Sequence, residues 1–341
     1  MMEHIAAVDL HSDNGYYGII DPKGKRIYQK KLPNALPVVL RELEPFRETL
    51  RCIVVESTYN WYWLADGLME NGYRVRLANP AKFEKYNDLK YTDDKTDTFF
   101  LTDMERLGIL PTGYIYPKEE REVRDLLRRR MLLVQQRTSH ILSFQALLSR
   151  QTGSSLGSNA IKALDLEDIE EVLPQQGSYV KLSGQTNLAI IGFLTGRIKL
   201  LEKLVLKNAR LRPEYEKLKT IAGIGIILAL TIMYETGDIG RFAGVGNYVS
   251  YCRCVKSNHM SNGKKKGEGN RKNGNKYLSW AYVEAANFSR RHCEEAKKYY
   301  QRKLAKTINV VATKALGAKL CRGAYYVMRD QVDFDVKKMF G

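Results

Sequence analysis

The sequence predicts three parts in order: an α/β domain over residues 1–115, long helices over 116–212, and a mostly α-helical domain over 213–341. Three observations carry this reading. Residues 4–80 are short apolar runs divided by turn chemistry, first without and then with helical stretches between them, which is an α/β layout. Residues 118–152 contain neither Gly nor Pro and place their apolar residues at helical spacing. Beyond residue 213, helical patterns resume on both sides of a glycine-, asparagine- and lysine-rich stretch at 255–277.

Taken in order, "HIAAVDL" is an apolar run that ends in Asp9, "SDNG" is a turn, and "YYGIID" resumes the strand pattern. "DPKGK" turns again into "RIYQKKL", so the start reads as a meander of three antiparallel strands. Residues 35–48 have helical spacing. "RCIVVES" at 51–57 reads as a buried strand carrying Glu56 near its end, "YNWYWLADGLMENG" as a helix stopped by Gly72, and 73–80 as a strand halted by Pro80. "TDTFFLTDMERLG" again has helical spacing. A long helix then starts at Pro117 and closes at Gly153, and a second covers 184–211. Two such helices can pair as an antiparallel coiled coil, form a dimer seam, or pack as a bundle on one domain. In the last part, "LKTIAGIGIILALTIMYETG" reads as helix, turn at 223–225, helix. Residues 255–277 read as a mobile basic loop, with helices resuming near Tyr277. There is no internal repeat.

Bulk properties narrow the function. The formal net charge is +17 and the pI about 9.5, which favours a polyanionic partner, most often nucleic acid. Hydrophobic residues at 44% and charged residues at 27% suit a soluble globular chain. No apolar run approaches membrane-spanning length, and the acidic start is not a secretory signal. The five cysteines are scattered without a CxxC pair, so neither structural zinc nor a disulfide framework is expected. The expectation is a cytoplasmic protein with reduced thiols and no membrane partner. Cys252 and Cys254 form a CxC in a strand-like stretch and are read as packing.

Against that basic background the stretch "KYTDDKTDTFFL" crowds Asp93, Asp94 and Asp97 together. Asp94 and Asp97 are three apart and share a helix face, while Asp93 by its phase points elsewhere. With Asp9 and Glu56 at strand ends, four carboxylates can converge at one end of a sheet. Crowded carboxylates repel unless they share a cation, and hard oxygen ligands suit Mg²⁺ or Mn²⁺. Two such ions about 4 Å apart assist phosphoryl transfer. Read singly, each carboxylate is also a plausible cap or turn residue.

The order of "AAVDLHSDNGYYGIID", "VVESTYNWYWLADGL" and "NPAKFEKYNDLKYTDDKTDTFFLTDMERLGILP" resembles the N-terminal half of the DEDD insertion-sequence transposases of the one-ten and eleven-eleven groups. "EEREVRDLLRRRMLLVQQRTSHI", "IAGIGIILA", "GDIGRFAGVGNYVSYCRC" and "SNGKKKGEGNRKNGNKYLSWAYVEAA" are similar to the same family, the last most of all to the eleven-eleven branch. The resemblance covers nearly the whole chain. It implies a RuvC-like, RNase H-type N-terminal domain, with the metal-binding tetrad on Asp9, Glu56, Asp94 and Asp97. Thr98 departs from the family, where Ala is expected, and being small should matter little. The resemblance further implies a bacterial or archaeal enzyme, nucleoid-associated when active, acting on donor and target DNA. It also implies a bridge RNA as guide, and a homodimer or homotetramer.

The same resemblance implies a serine nucleophile that forms a phosphoserine link to DNA, and selects Ser261 in "MSNGKKKG", with Ser257 and Ser250 as fallbacks. A serine hydroxyl is a weak nucleophile and needs activation. His259 lies near in sequence, although a solvated loop histidine is the plainer reading. Gly263 lets the backbone approach a strand closely. Lys264, Lys265, Lys266, Arg271, Lys272 and Lys276 are candidate phosphate contacts. The "AGIG" turn with Gly223 and Gly225 resembles a helix-hairpin-helix, whose backbone N–H groups meet phosphate; a plain helix–helix turn fits as well. Tyr277 and Trp280 face nucleic acid or the core, with core favoured for Trp280. Two other functions remain open: a metal-dependent nuclease of Holliday-junction type, which would not need Ser261, and a non-catalytic nucleic-acid-binding module.

Overall fold

The computed structural model describes residues 3–80, 94–255, 259–261, 263–267 and 273–341. The chain divides into two units, Met1–Lys118 and Glu119–Gly341. The first is a mixed α/β sheet domain and the second is mostly helical.

In the first unit the expected meander is present. Strands β1 (His4–Leu10), β2 (Asn14–Ile20) and β3 (Arg26–Pro33) pair antiparallel, with Asp9 opposite Tyr16. Helix α1 (Leu36–Leu43) carries the chain across to β4 (Leu50–Glu56), which runs parallel to β1 with Val8 beside Val55. Helix α2 (Tyr62–Glu70) leads to β5 (Val75–Ala78), parallel to β4. The order across the sheet is β3-β2-β1-β4-β5. The helix expected over 35–48 ends at Leu43 and continues as a tight 3-10 segment, Glu44–Thr49. Pro45 has no N–H for the next α-helical bond, which accounts for the change.

The pleat sorts side chains between two cores. Ala6, Val8, Leu10, Ile53 and Val55 pack with Val39, Leu43, Leu64 and Leu68 of α1 and α2. Ile5, Ala7, Cys52 and Val54 pack with Phe99, Leu101 and Met104 of α3 (Asp94–Arg106). By the same alternation Asp9 and Glu56 belong to the α3 side, each at the C-terminal end of its strand. Helix α3 comes down close over β1 and β2 because Gly18 has no side chain: a Cβ there would sit 3.0 Å from both Thr98 and Phe99.

In the second unit α4 (Lys118–Thr152) follows the expected bounds nearly to the residue. After two short helices, α5 (Ser158–Ile161) and α6 (Ile169–Val172), comes α7 (Ser178–Asn208). Helices α4 and α7 pair antiparallel, through Arg130 with Glu202, Arg137 with Thr195, and His140 with Asn187. Helix α7 starts before its expected first residue, Gly184. That glycine lies inside the helix and makes room for α6, since a Cβ on it would come within 2.6 Å of Ile169. The rest runs α8 (Pro213–Lys219), α9 (Ile226–Thr236), α10 (Val245–Tyr251), β6 (His259–Ser261), β7 (Lys264–Gly267), α11 (Lys276–His292), α12 (Glu294–Leu304), α13 (Asn309–Asp330) and α14 (Val336–Phe340). The core of this part is built on α9, α11 and α13, where Ala229, Ala281, Ala285 and Ala324 keep the helices close around Tyr282 and Leu320. Cys252 and Cys254 do not lie in a strand; they follow the end of α10. Among the described residues no helix is long and apolar enough to cross a membrane.

Candidate active site

The C-terminal ends of β1 and β4 bring Asp9 and Glu56 to the end of the sheet where α3 begins. Asp9 is buried. Glu56 is half-buried, and its carboxyl is raised above its ordinary value, first by burial, then by the charges of Asp9 and Asp97, with His11 offsetting part of this. Three acidic side chains from three elements are therefore near enough to feel one another. Asp94 is the first residue of α3, three before Asp97; its side chain, like Asp93 as a whole, lies outside the described residues. Thr98 is fully buried and its hydroxyl donates to the Tyr16 carbonyl at 3.2 Å. The hydroxyl thus ties α3 to β2, a contact an alanine would lack, so its small size is not the whole of its role.

His11 is a member of this site that sequence reading passed over. Its Nε2 lies 3.3 Å from Asp9 Oδ2. Its backbone carbonyl accepts from Asn34 Nδ2 at 3.0 Å and from Asn60 Nδ2 at 2.7 Å, which pins the turn after β1. The spacing of two from Asp9 was the available signal. As a donor set these hard oxygens suit a divalent cation, and their mutual repulsion is of the kind a cation relieves. Among the described residues no three acidic, histidine or cysteine groups stand close enough to cage an ion by themselves.

In the second unit, the stretch read as a mobile basic loop contains a two-stranded hairpin. Ser261 on β6 pairs with Lys264 on β7, and Gly263 between them has φ +70°. The dipeptide Asn262-Gly263 is a strong short-range hairpin signal, and sequence reading used only the glycine. Lys264, Lys266 and Lys276 are exposed. Lys265 lies on β7, while Arg271 and Lys272 lie outside the described residues. Gly225 caps α9 at an open position, but Gly223, at φ +92°, is pressed against α11: a Cβ would lie 2.3 Å from the Ala285 carbonyl. Packing alone therefore requires that glycine. Trp280 packs against the core, as favoured. Tyr277 is half-buried beneath the Arg128 guanidinium, 4.3 Å from its ring centre.

The base of the hairpin is held by a buried polar network. The chain leaves α10 at Tyr251 and returns at Gly274 and Asn275. The Asn275 N–H donates to the Tyr251 carbonyl at 2.6 Å, and Gly274, at φ +87°, passes so close that a Cβ would lie 2.5 Å from the same oxygen. The Asn275 side chain accepts from the N–H groups of Tyr277 and Leu278, capping α11, and donates to Glu235 at 2.7 Å. Glu235 is fully buried, and Arg128 of α4 grips both its oxygens, with Nη2 2.8 Å from Oε2.

Two family signatures match the chain. One, described simply as a transposase and belonging to the DEDD type of the IS110 elements, covers residues 6–151. The other, described as the transposase IS116/IS110/IS902 family, covers residues 215–301. No curated protein matches the chain. An acidic sheet end and a separate basic helical unit thus belong to a transposase, an enzyme that cuts and rejoins DNA. The chain belongs to the IS110-type DEDD insertion-sequence transposases. Its partner is DNA, and enzymes of this type are typically dependent on divalent metal.

Proposed function

We propose that this transposase is a site-specific recombinase that combines the carboxylates of a RuvC-like domain with a serine nucleophile on the β6–β7 hairpin. The observation that carries the reading is the placement of Asp9 and Glu56 at the C-terminal ends of the parallel strands β1 and β4, with a Glu56 carboxyl raised first by burial and then by the charges of Asp9 and Asp97. The strand order, three antiparallel strands followed by two parallel ones, supports the RNase H-type assignment. Asp9, Glu56, Asp94 and Asp97 are the ligands for Mg²⁺ or Mn²⁺, which when bound would supply charge neutralisation at the scissile phosphate. His11 and its two asparagine contacts hold Asp9 in place.

Ser261 Oγ attacks the phosphorus. One P–O bond to deoxyribose breaks as the serine–phosphate ester forms, and the serine proton is matched by the one taken up on the released deoxyribose hydroxyl. Lys264, opposite the serine on the facing strand, with Lys265, Lys266, Arg271, Lys272 and Lys276, neutralises phosphate charge; Gly223 and Gly225 are further backbone contacts. The parts are a metal domain (1–115), long helices for oligomerisation as a dimer or tetramer (116–212), and a serine domain (213–341). An element-encoded bridge RNA guides the reaction in the cytoplasm, at the nucleoid.

A recombination assay in cells tests this, with the element and its flanking non-coding DNA, and with recovered protein run on a denaturing gel for a covalent DNA adduct. Both Asp97→Asn and Ser261→Ala abolish recombination, and the adduct is missing in Ser261→Ala. If Ser261→Ala still cleaves, the protein is a metal-only nuclease; if Asp97→Asn retains function, the carboxylates are structural.

A further inference from the structure

The sheet of the first unit has a second charged end. Opposite the carboxylates, where β4 and β5 begin and α3 finishes, a cavity of about 320 Å³ is lined by Arg51, Arg74, Arg76, Arg106 and Glu105. Arg51 and Glu56 stand at the two ends of β4, roughly 16 Å apart at the rise of a strand. Glu105 is buried, and its two oxygens meet Arg51 Nη2 at 3.2 Å and Arg76 Nη2 at 3.5 Å. Glu105 is the one carboxylate in a lining that holds four arginines, and it pairs with two of them.

A structural role for Glu105 explains two of these arginines. Arg106 is turned to Asp103 at 3.1 Å yet still lines the cavity. Arg74 is exposed, and its side chain has no hydrogen bond or ion pair among the described residues. The Nε of Arg76 is buried without a hydrogen-bond acceptor, a state that costs free energy until an acceptor arrives. Every cation here is arginine, whose planar fork of donors matches a phosphate oxygen pair where a lysine offers only a point charge.

We propose that this cavity is a binding site for a backbone phosphodiester of nucleic acid, one that is held and not cut. It lies beside β5, the edge strand of the sheet, so a strand can run past it. Its distance from the carboxylates keeps the phosphate it holds away from the chemistry, which makes it an anchor. Arg74, at the exposed mouth, meets the phosphate first; the buried Nε of Arg76 receives its oxygen. The site does not depend on Ser261 or on the acidic end, and binding is measured without either acting.

The test is fluorescence polarisation in EDTA, using the full chain, a short fluorescein-labelled DNA duplex and an RNA hairpin of similar length. Arg74→Ala is the variant of choice because Arg51 and Arg76 neutralise Glu105 and their loss endangers the fold. Arg41→Ala, an exposed charge on α1, which packs on the opposite face of the sheet from α3, sets the background for losing one positive charge. Arg74→Ala weakens binding about tenfold and lowers the salt slope by about one, beyond the change in Arg41→Ala and with unchanged melting temperature. A loss on RNA alone, on DNA alone or on both supports the site and says which strand it holds. If Arg74→Ala matches Arg41→Ala on both probes, the proposal falls. It falls equally if inorganic phosphate stabilises wild type but not Arg74→Ala while nucleic-acid binding is unchanged, because the cavity is then a site for the free anion.

Discussion

Two glutamates, Glu56 and Glu235, are withdrawn from water in the two units and are treated in opposite ways. Glu235 is fully buried and completely provided for: Arg128 takes both oxygens and Asn275 adds a third bond. The Arg128 guanidinium, although burial alone would lower it, is held above its ordinary value by the hydrogen bonds and charge of Glu235. Glu56 is less buried, and its carboxyl is raised first by the burial it has and then by repulsion from Asp9 and Asp97. A carboxylate in an arginine fork is scaffold. A carboxylate kept among carboxylates stores a repulsion that folding alone does not require, and that is the better pointer to chemistry.

The sharpest break between the two is made by charge removal. Asp97→Asn should reduce recombination about a thousandfold, since several kcal/mol of transition-state stabilisation depend on the acidic set, while leaving the melting temperature at or above wild type. Arg128→Met should do the reverse to the scaffold. With Glu235 left buried and unpaired, the second unit loses about 3–5 kcal/mol, read as a fall in its denaturant midpoint, and the double variant Arg128→Met/Glu235→Leu recovers part of the loss. If Asp97→Asn lowers stability as Arg128→Met does, the acidic end is scaffold too and the contrast collapses.

How far the contrast was legible in sequence follows from the range of the contacts. Asp9 and Glu56 end apolar strands and Asp97 lies near the start of α3, so the approach of these three is written in local pattern plus the parallel return of β4. The hairpin at Ser261 was also local, carried by Asn262-Gly263, and was passed over because the surrounding Gly, Asn and Lys residues suggest an irregular loop. The Arg128–Glu235–Asn275 network joins residues 107 and 40 apart in the chain. Nothing in the local spacing of an exposed-looking "RDLLRRR" marks which arginine turns inward. Glu105 and its arginines were hidden for the same reason, with α3 and the starts of β4 and β5 meeting only in the fold. Gly184 misled by composition: it begins no helix, and its role is to let Ile169 approach.

Thr98 sharpens the comparison on a smaller scale, because it sets the seat of α3 and with it the position of Asp97. Thr98→Val keeps the shape, removes the hydroxyl and leaves the Tyr16 carbonyl without that donor, at a cost of about 1–2 kcal/mol. Thr98→Ala removes the bond with less bulk. Both should lower the melting temperature of the first unit, and recombination should fall less than in Asp97→Asn. A variant with unaltered stability and activity would show that the close approach at Gly18 is enough to seat the helix.

The smallest expected effect has the most telling sign. The folded-state value of Glu56 is raised above its unfolded value, so its contribution to stability is fully present below the unfolded value and is lost as pH rises through the folded one. At neutral pH, without divalent metal, Glu56 is therefore a liability, and Glu56→Gln should melt at a higher temperature than wild type. The advantage should vanish in acid, where the wild-type carboxyl is protonated, and open as pH climbs past the raised value. Added Mg²⁺ should narrow it again by stabilising wild type and not the variant. For Glu235→Gln the expected sign is opposite at neutral pH, because there the charge is matched by Arg128. If Glu56→Gln instead destabilises at neutral pH, the glutamate has a fixed partner and its place among Asp9 and Asp97 is not the repulsive cluster described.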